Sequence, residues 1–145
     1  MRQKVILIEG LASYRLGFLR KAYKDIFEAK GFEVVSLPYT AKGPFIADIV
    51  IGHSFGGGKI LRDGAKARAV ITLDPRYWDF WNNQNQTAFQ LDISHALNCY
   101  QKSGLRGYPV NGMNNHYFGG VGHTQLPLES VQMVFHYLRS IGLEV

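Results

Sequence analysis

The stretch at residues 52–57 (GHSFGG) constrains this chain more than any other. It follows a short apolar run, Ile49, Val50 and Ile51, and precedes residues 58–62, which can be helical. The pattern Gly-x-Ser-x-Gly between a strand and a helix describes a sharp turn that lifts a serine hydroxyl above a sheet edge. The residues two positions before and after the serine must be small to avoid clashing. The backbone N–H that follows the serine then points where a developing oxyanion would sit. A chain with sixteen glycines also produces the bare pattern by chance. A plain glycine-rich turn, or a phosphate-cradling loop at a helix N-terminus, are the alternatives that the motif alone leaves open.

The surrounding segments supply the context. Residues 4–9 (KVILIE) form a continuous β-branched run, as expected of a parallel strand buried on both faces. From residue 16 to 30, Leu16, Leu19, Tyr23, Ile26 and Phe27 fall at helical spacing, and Gly31 supplies the stop. Residues 32–37 are a second strand, 40–47 a short connector, and 48–52 the strand that delivers Ser54. Residues 67–73 (ARAVITL) are a fourth strand, ending at Asp74 and Pro75. Residues 76–90 break the rhythm with aromatics and amides and read as an excursion outside the sheet. Strands are expected at 95–101 and 107–113, a glycine-rich loop at 114–123, and a last helix opened by Pro127. Strands alternating with helices imply an α/β fold with a mostly parallel sheet. The eight-residue connector is short for a parallel crossover, which usually takes about a dozen residues.

A chain of 145 residues, 46% apolar and 19% charged, suits one globular domain spanning residues 1–145. The N-terminal apolar run is too short for a signal peptide, and no run reaches membrane-spanning length. Cys99 is the single cysteine, which excludes an intrachain disulfide and a cysteine-built zinc site. A cytoplasmic location is the expectation. The net charge of +5 is scattered, and its densest group, Arg20, Lys21 and Lys24, sits beside Asp25 and Glu28. That mixture reads as a solvated helix face, so nucleic-acid binding is not expected.

A serine needs a base to remove its proton and an acid to orient that base. Between Ser54 and the late histidines lie four acids: Asp63, Asp74, Asp79 and Asp92. Asp63 leaves with the helix after the turn and should point away. Asp74 stands just past the carboxyl end of the next strand, on the edge where open parallel sheets build their sites. A turn-opening Asp-Pro pair is its plainer reading, and Asp79 and Asp92 stay open as acids. Of the five histidines, His53 diverges from its neighbour, His136 lies in the last helix, and His95 precedes a strand. His123, just before the last helix, is placed to return over the serine, with His116 the second choice. The oxyanion donors expected are the backbone N–H groups of Leu11 and Phe55. Ser13 and Tyr14 can line the same pocket.

The ILIEGL, GHSFGG, VITLDP and GVGHTQLP segments together resemble the α/β-hydrolase superfamily, in particular its small lipase-like and thioesterase-like members. The resemblance implies Ser54 as nucleophile, Asp74 as acid, His123 as base, and Leu11 and Phe55 as oxyanion donors. The chain starts at what would be the family's third strand. A reduced sheet of about six strands in the family order 4-3-5-6-7-8 is therefore implied. The family's acid more often follows the next strand, but the corresponding residues 102–104 carry no carboxylate. The implied activity is hydrolysis of an ester or thioester, small or presented at a surface, without metal or cofactor. Tyr77, Trp78 and Trp81 would then belong to a cap over the site or, equally, to a packed aromatic flap. A non-catalytic binding module that keeps the fold is the alternative.

Overall fold

β1 (Lys4–Ile8) shows how the strands organise two cores. The computed structural model describes residues 2–11, 13–77, 80–88 and 91–145; within these, the side chains of residues 13, 14, 80, 81 and 92 are not described. Side chains alternate across a strand. Val5 and Leu7 accordingly enter one apolar cluster, and Ile6 and Ile8 enter the other. β4 (Ile49–His53) repeats this, sending Ile49 and Ile51 to the first cluster and Val50 to the second. β5 (Ala65–Leu73) and β6 (Leu91–Tyr100) do the same. A strand with apolar residues on both faces needs cover on both sides. α2 (Phe18–Ala29), α4 (Leu126–Glu129) and α5 (Val131–Ser140) supply it on one side, and α3 (Phe55–Asp63) on the other.

With β2 (Glu33–Leu37) and β7 (Asn114–Tyr117), the strand order is β2-β1-β4-β5-β6-β7, with every pair parallel. This is the reduced parallel sheet expected, in the expected order. A two-residue strand, β3 (Phe45–Ile46), pairs with the start of β5. It lies inside the short connector and explains how that connector serves. The chain passes from β2 to β4 without a helix, held by Phe45 N–H to the Gly64 carbonyl and Asp48 N–H to the Lys4 carbonyl.

Several boundaries differ from expectation. The first helix is broken at Gly17, whose φ of 68° separates α1 (Ser13–Leu16) from α2. The last strand is β7, in the segment expected to be loop, and not residues 107–113. β7 is a sheet edge with largely exposed side chains, so no apolar alternation marks it. Val110 and Met113 are buried, as a strand reading of residues 107–113 would suggest. Their backbone is clamped instead by Asn115, which accepts from Val110 N–H at 2.8 Å and donates to the Val110 and Met113 carbonyls. In the aromatic excursion, residues 80–85 form a 3-10 turn. Two of its amides turn inward. Asn83 accepts from Tyr77 N–H, and Gln86 donates to the Pro75 carbonyl, each at 2.7 Å. Those side chains stabilise the excursion's own backbone.

Candidate active site

Ser54 sits between β4 and α3 with φ 58° and ψ −125°, a conformation that costs an ordinary residue about 1–3 kcal/mol. The surroundings hold it there. Its N–H donates to the Leu73 carbonyl, and its own carbonyl accepts from Gly58 and Arg76 N–H at 3.1 and 3.0 Å. The small-neighbour requirement has a direct structural cause. A Cβ on Gly56 would lie 2.0 Å from the Ile8 carbonyl oxygen, and one on Gly52 would lie 2.6 Å from the Ile60 side chain. The start of α3 therefore packs backbone to backbone against the end of β1.

Asp74 takes the equivalent position one strand over, because His53 pairs with Leu73 in the β4–β5 register. Its φ of 47° turns it away from the strand direction. The carboxylate is fully buried. Gln101, at the end of β6, donates its N–H to Oδ1 at 3.0 Å and its side-chain amide to Oδ2 at 2.7 Å. His123 Nδ1 lies 2.9 Å from the same Oδ2. A carboxylate only accepts, so Nδ1 carries the proton and neutral His123 keeps a lone pair on Nε2. Gly107 lies against this acid, where a Cβ would fall 2.1 Å from Oδ1.

The loop bearing His123 is fastened to the residue before the serine. His53 Nε2–H donates to the His123 carbonyl at 2.9 Å, and the two rings lie 4.8 Å apart. The buried acid and the loop histidine thus meet at the sheet edge that carries Ser54, with the His123 loop tied to the residue before it. One solved structure shares this architecture. It is an esterase domain from a Rhodothermus marinus protein, 11% identical, with a TM-score of 0.58 over 97% of this chain and 88% of that one. At that identity the likeness is one of fold. No family model matches the chain, and no curated protein matches it in sequence.

The remaining sequence candidates separate clearly. His116 lies on β7 in register with Cys99, its ring edge-on to Phe118 at 4.8 Å, and it is not the histidine on Asp74. His95 and His136 are exposed on β6 and α5. Asp63 accepts from Gly43 N–H and faces Lys59. Asp92 pairs opposite Lys66 toward the start of β5, at the far end of the sheet from Ser54. Asp79 and Trp78 lie outside the described residues, as do the side chains of Trp81, Ser13 and Tyr14. Leu11 is half-exposed in the loop after β1, and Phe55 opens α3. Tyr77 is half-buried beneath the Arg62 guanidinium, 4.2 Å from the ring centre.

Three residues near the site escaped the sequence reading of roles. Gln101 carries the acid, yet a glutamine at a strand end belongs to no pattern. Glu9 is buried and accepts from Leu19 and Arg20 N–H at 3.0 and 3.1 Å, fixing the first turn of α2 to the end of β1. Burial raises its pKa despite those donors and Arg20. Cys99 lies beside Asp74, and burial first, then that acid, push its thiol up to about 12, so it stays protonated.

His53 has a measurable consequence for stability. It is buried, and its Nδ1 has no hydrogen-bond partner among the described residues. Burial first, and then His123, push its pKa down to about 3 from an ordinary 6.5, against the opposing bond to the His123 carbonyl. Between those values the unfolded chain binds a proton that the native state does not. Stability present above pH 6.5 is therefore lost as pH falls, by up to ~1.4 kcal/mol per unit for this group. His53→Gln is expected to remove that one-proton slope from urea unfolding measured between neutral and mildly acidic pH. An unchanged slope would assign the acid lability elsewhere.

Proposed function

We propose that the protein is a serine hydrolase that cleaves a carboxylic ester or thioester through an acyl-enzyme. The observation that carries this reading is the 2.9 Å bond from His123 Nδ1 to buried Asp74, beside the strained serine turn. A neighbour of the same fold that is an esterase domain supports it.

Ser54 Oγ bonds to the substrate carbonyl carbon as its proton passes to His123 Nε2. Asp74 holds the imidazole in the tautomer that can accept that proton and favours the imidazolium that forms. The tetrahedral oxyanion accepts from the backbone N–H groups of Leu11 and Phe55. The bond to the leaving alcohol or thiol breaks, and His123 gives the proton to the leaving group. Water then attacks the acyl carbon, passes a proton to His123, and releases the acid while Ser54 regains its hydrogen. Tyr77, which lines a cleft that opens at Phe55, is offered to the substrate, and Trp78 and Trp81 are candidates for the same cap. The substrate is small or presented at a surface. No helix among the described residues is long and apolar enough to cross a membrane.

A fluorophosphonate probe tests the reading. Folded wild-type protein is expected to label at Ser54, and Ser54→Ala is not. Absence of labelling from neutral to alkaline pH would overturn it in favour of a binding module.

A further inference from the structure

A cleft of about 430 Å³ opens at Phe55, the residue after Ser54, and runs along the flank of α3. Phe55, Gly58, Lys59 and Arg62 line it, and their spacing of i, i+3, i+4 and i+7 places them on one helix face. Tyr39 and Tyr77 form the other walls, with Arg76 near the inner end, where its N–H binds the Ser54 carbonyl. The only acid lining the cleft, among the described residues, is Asp63. It is taken up by Gly43 N–H at 2.9 Å and by Lys59 at 3.7 Å.

The Arg62 guanidinium lies over the Tyr77 ring. Stacking engages its face and orients its edge, where the N–H groups suit a planar oxyanion. Lys59 Nζ is drawn to Asp63 at 3.7 Å, which leaves the stacked Arg62 guanidinium as the principal cation of the cleft. Lys59 and Arg62 lie four and seven residues past Phe55, about 6 and 10 Å along the axis.

We infer that this cleft binds a carboxylate carried by one arm of the ester substrate, so that the preferred substrate class is an anionic ester. The inference rests on the hydrolase reading for its substrate language, while the anion site stands on the cleft itself. A six-carbon dicarboxylic arm spans about 7 Å from scissile carbonyl to carboxylate, comparable with the axial rise of about 6 to 10 Å from Phe55 to Lys59 and Arg62.

The test compares isosteric esters. 4-Nitrophenyl hexanoate is set against the mono-4-nitrophenyl ester of adipate for the acyl arm. Phenyl hexanoate is set against 4-carboxyphenyl hexanoate for the alcohol arm. In one pair the anionic member is expected to show at least ~10-fold higher kcat/KM. That ratio should shrink as salt screens the charge, collapse in Arg62→Gln, and survive only in part in Arg62→Lys, which keeps the charge and loses the planar fork. Equal rates in both pairs, or a preference that survives Arg62→Gln, would overturn the inference. If no ester is hydrolysed, the hydrolase reading fails, and calorimetric binding of adipate decides the anion site. Binding weakened by Arg62→Gln supports that site, and no binding overturns it.

Discussion

Asp74→Asn is expected to lower kcat/KM for ester hydrolysis by about 10³–10⁴-fold, with a folded protein remaining. The present carboxylate accepts from Gln101 N–H, the Gln101 amide and His123 Nδ1. An asparagine has one acceptor oxygen. With that oxygen left on Gln101 N–H, its NH2 group takes the place of Oδ2, where it meets the Gln101 amide and His123. His123 Nδ1 must then accept, which moves the ring proton to Nε2. An Nε2–H cannot take a proton from Ser54, so the base is present in the wrong tautomer. Steady-state kinetics with an activated ester, together with circular dichroism for folding, reads the outcome. Asp79→Asn is the companion variant. Activity retained in Asp74→Asn but lost in Asp79→Asn would reassign the acid.

The parts of this site that were legible in the sequence are those whose chemistry demands a residue type at a place. A serine turn needs glycines on both sides, and residues 52–57 supply them. A parallel sheet builds its site past the carboxyl ends of its strands, which favours Asp74 after β5 while leaving Asp79 and Asp92 open, and favours His123 in the loop before α4. His123 over His116 followed from position alone, and the 2.9 Å contact with Asp74 is what distinguishes them. The strand order came through the family resemblance alone; the residues themselves showed only that β1, β4 and β5 carry apolar residues on both faces and so lie inside a covered parallel sheet. β7 was not legible. An edge strand needs no buried face, and Asn114, Asn115 and His116 carry no alternation to find. Residues 107–113 misled for the converse reason, since Val110 and Met113 are buried without joining the sheet. Gln101 and Asn115 were illegible as clamps because one amide side chain can satisfy backbone groups several residues away. The crossover before β4 took its short path because β3 lends it pairing inside the connector.

Gly56→Ala is expected to be among the most damaging single substitutions in the chain, costing about 3 kcal/mol of stability, the upper end for overpacking. The added methyl would sit 2.0 Å from the Ile8 carbonyl oxygen and 2.9 Å from that of Glu9. Both are backbone atoms of the β1 end and cannot swing aside as a side chain would. Relief requires α3 to move away from β1, which carries Phe55 N–H and the Ser54 turn with it. Stability and serine reactivity should therefore fall together, read as a lower urea midpoint and slower fluorophosphonate labelling of the protein that remains folded. Gly119→Ala is the matched control. Among the described residues its Cβ would meet only the Tyr117 side chain, at 3.7 Å, an ordinary contact. Its stability should stay within about 0.5 kcal/mol of wild type. If Gly56→Ala behaved like Gly119→Ala, the close approach of α3 to β1 would not be what holds the serine turn.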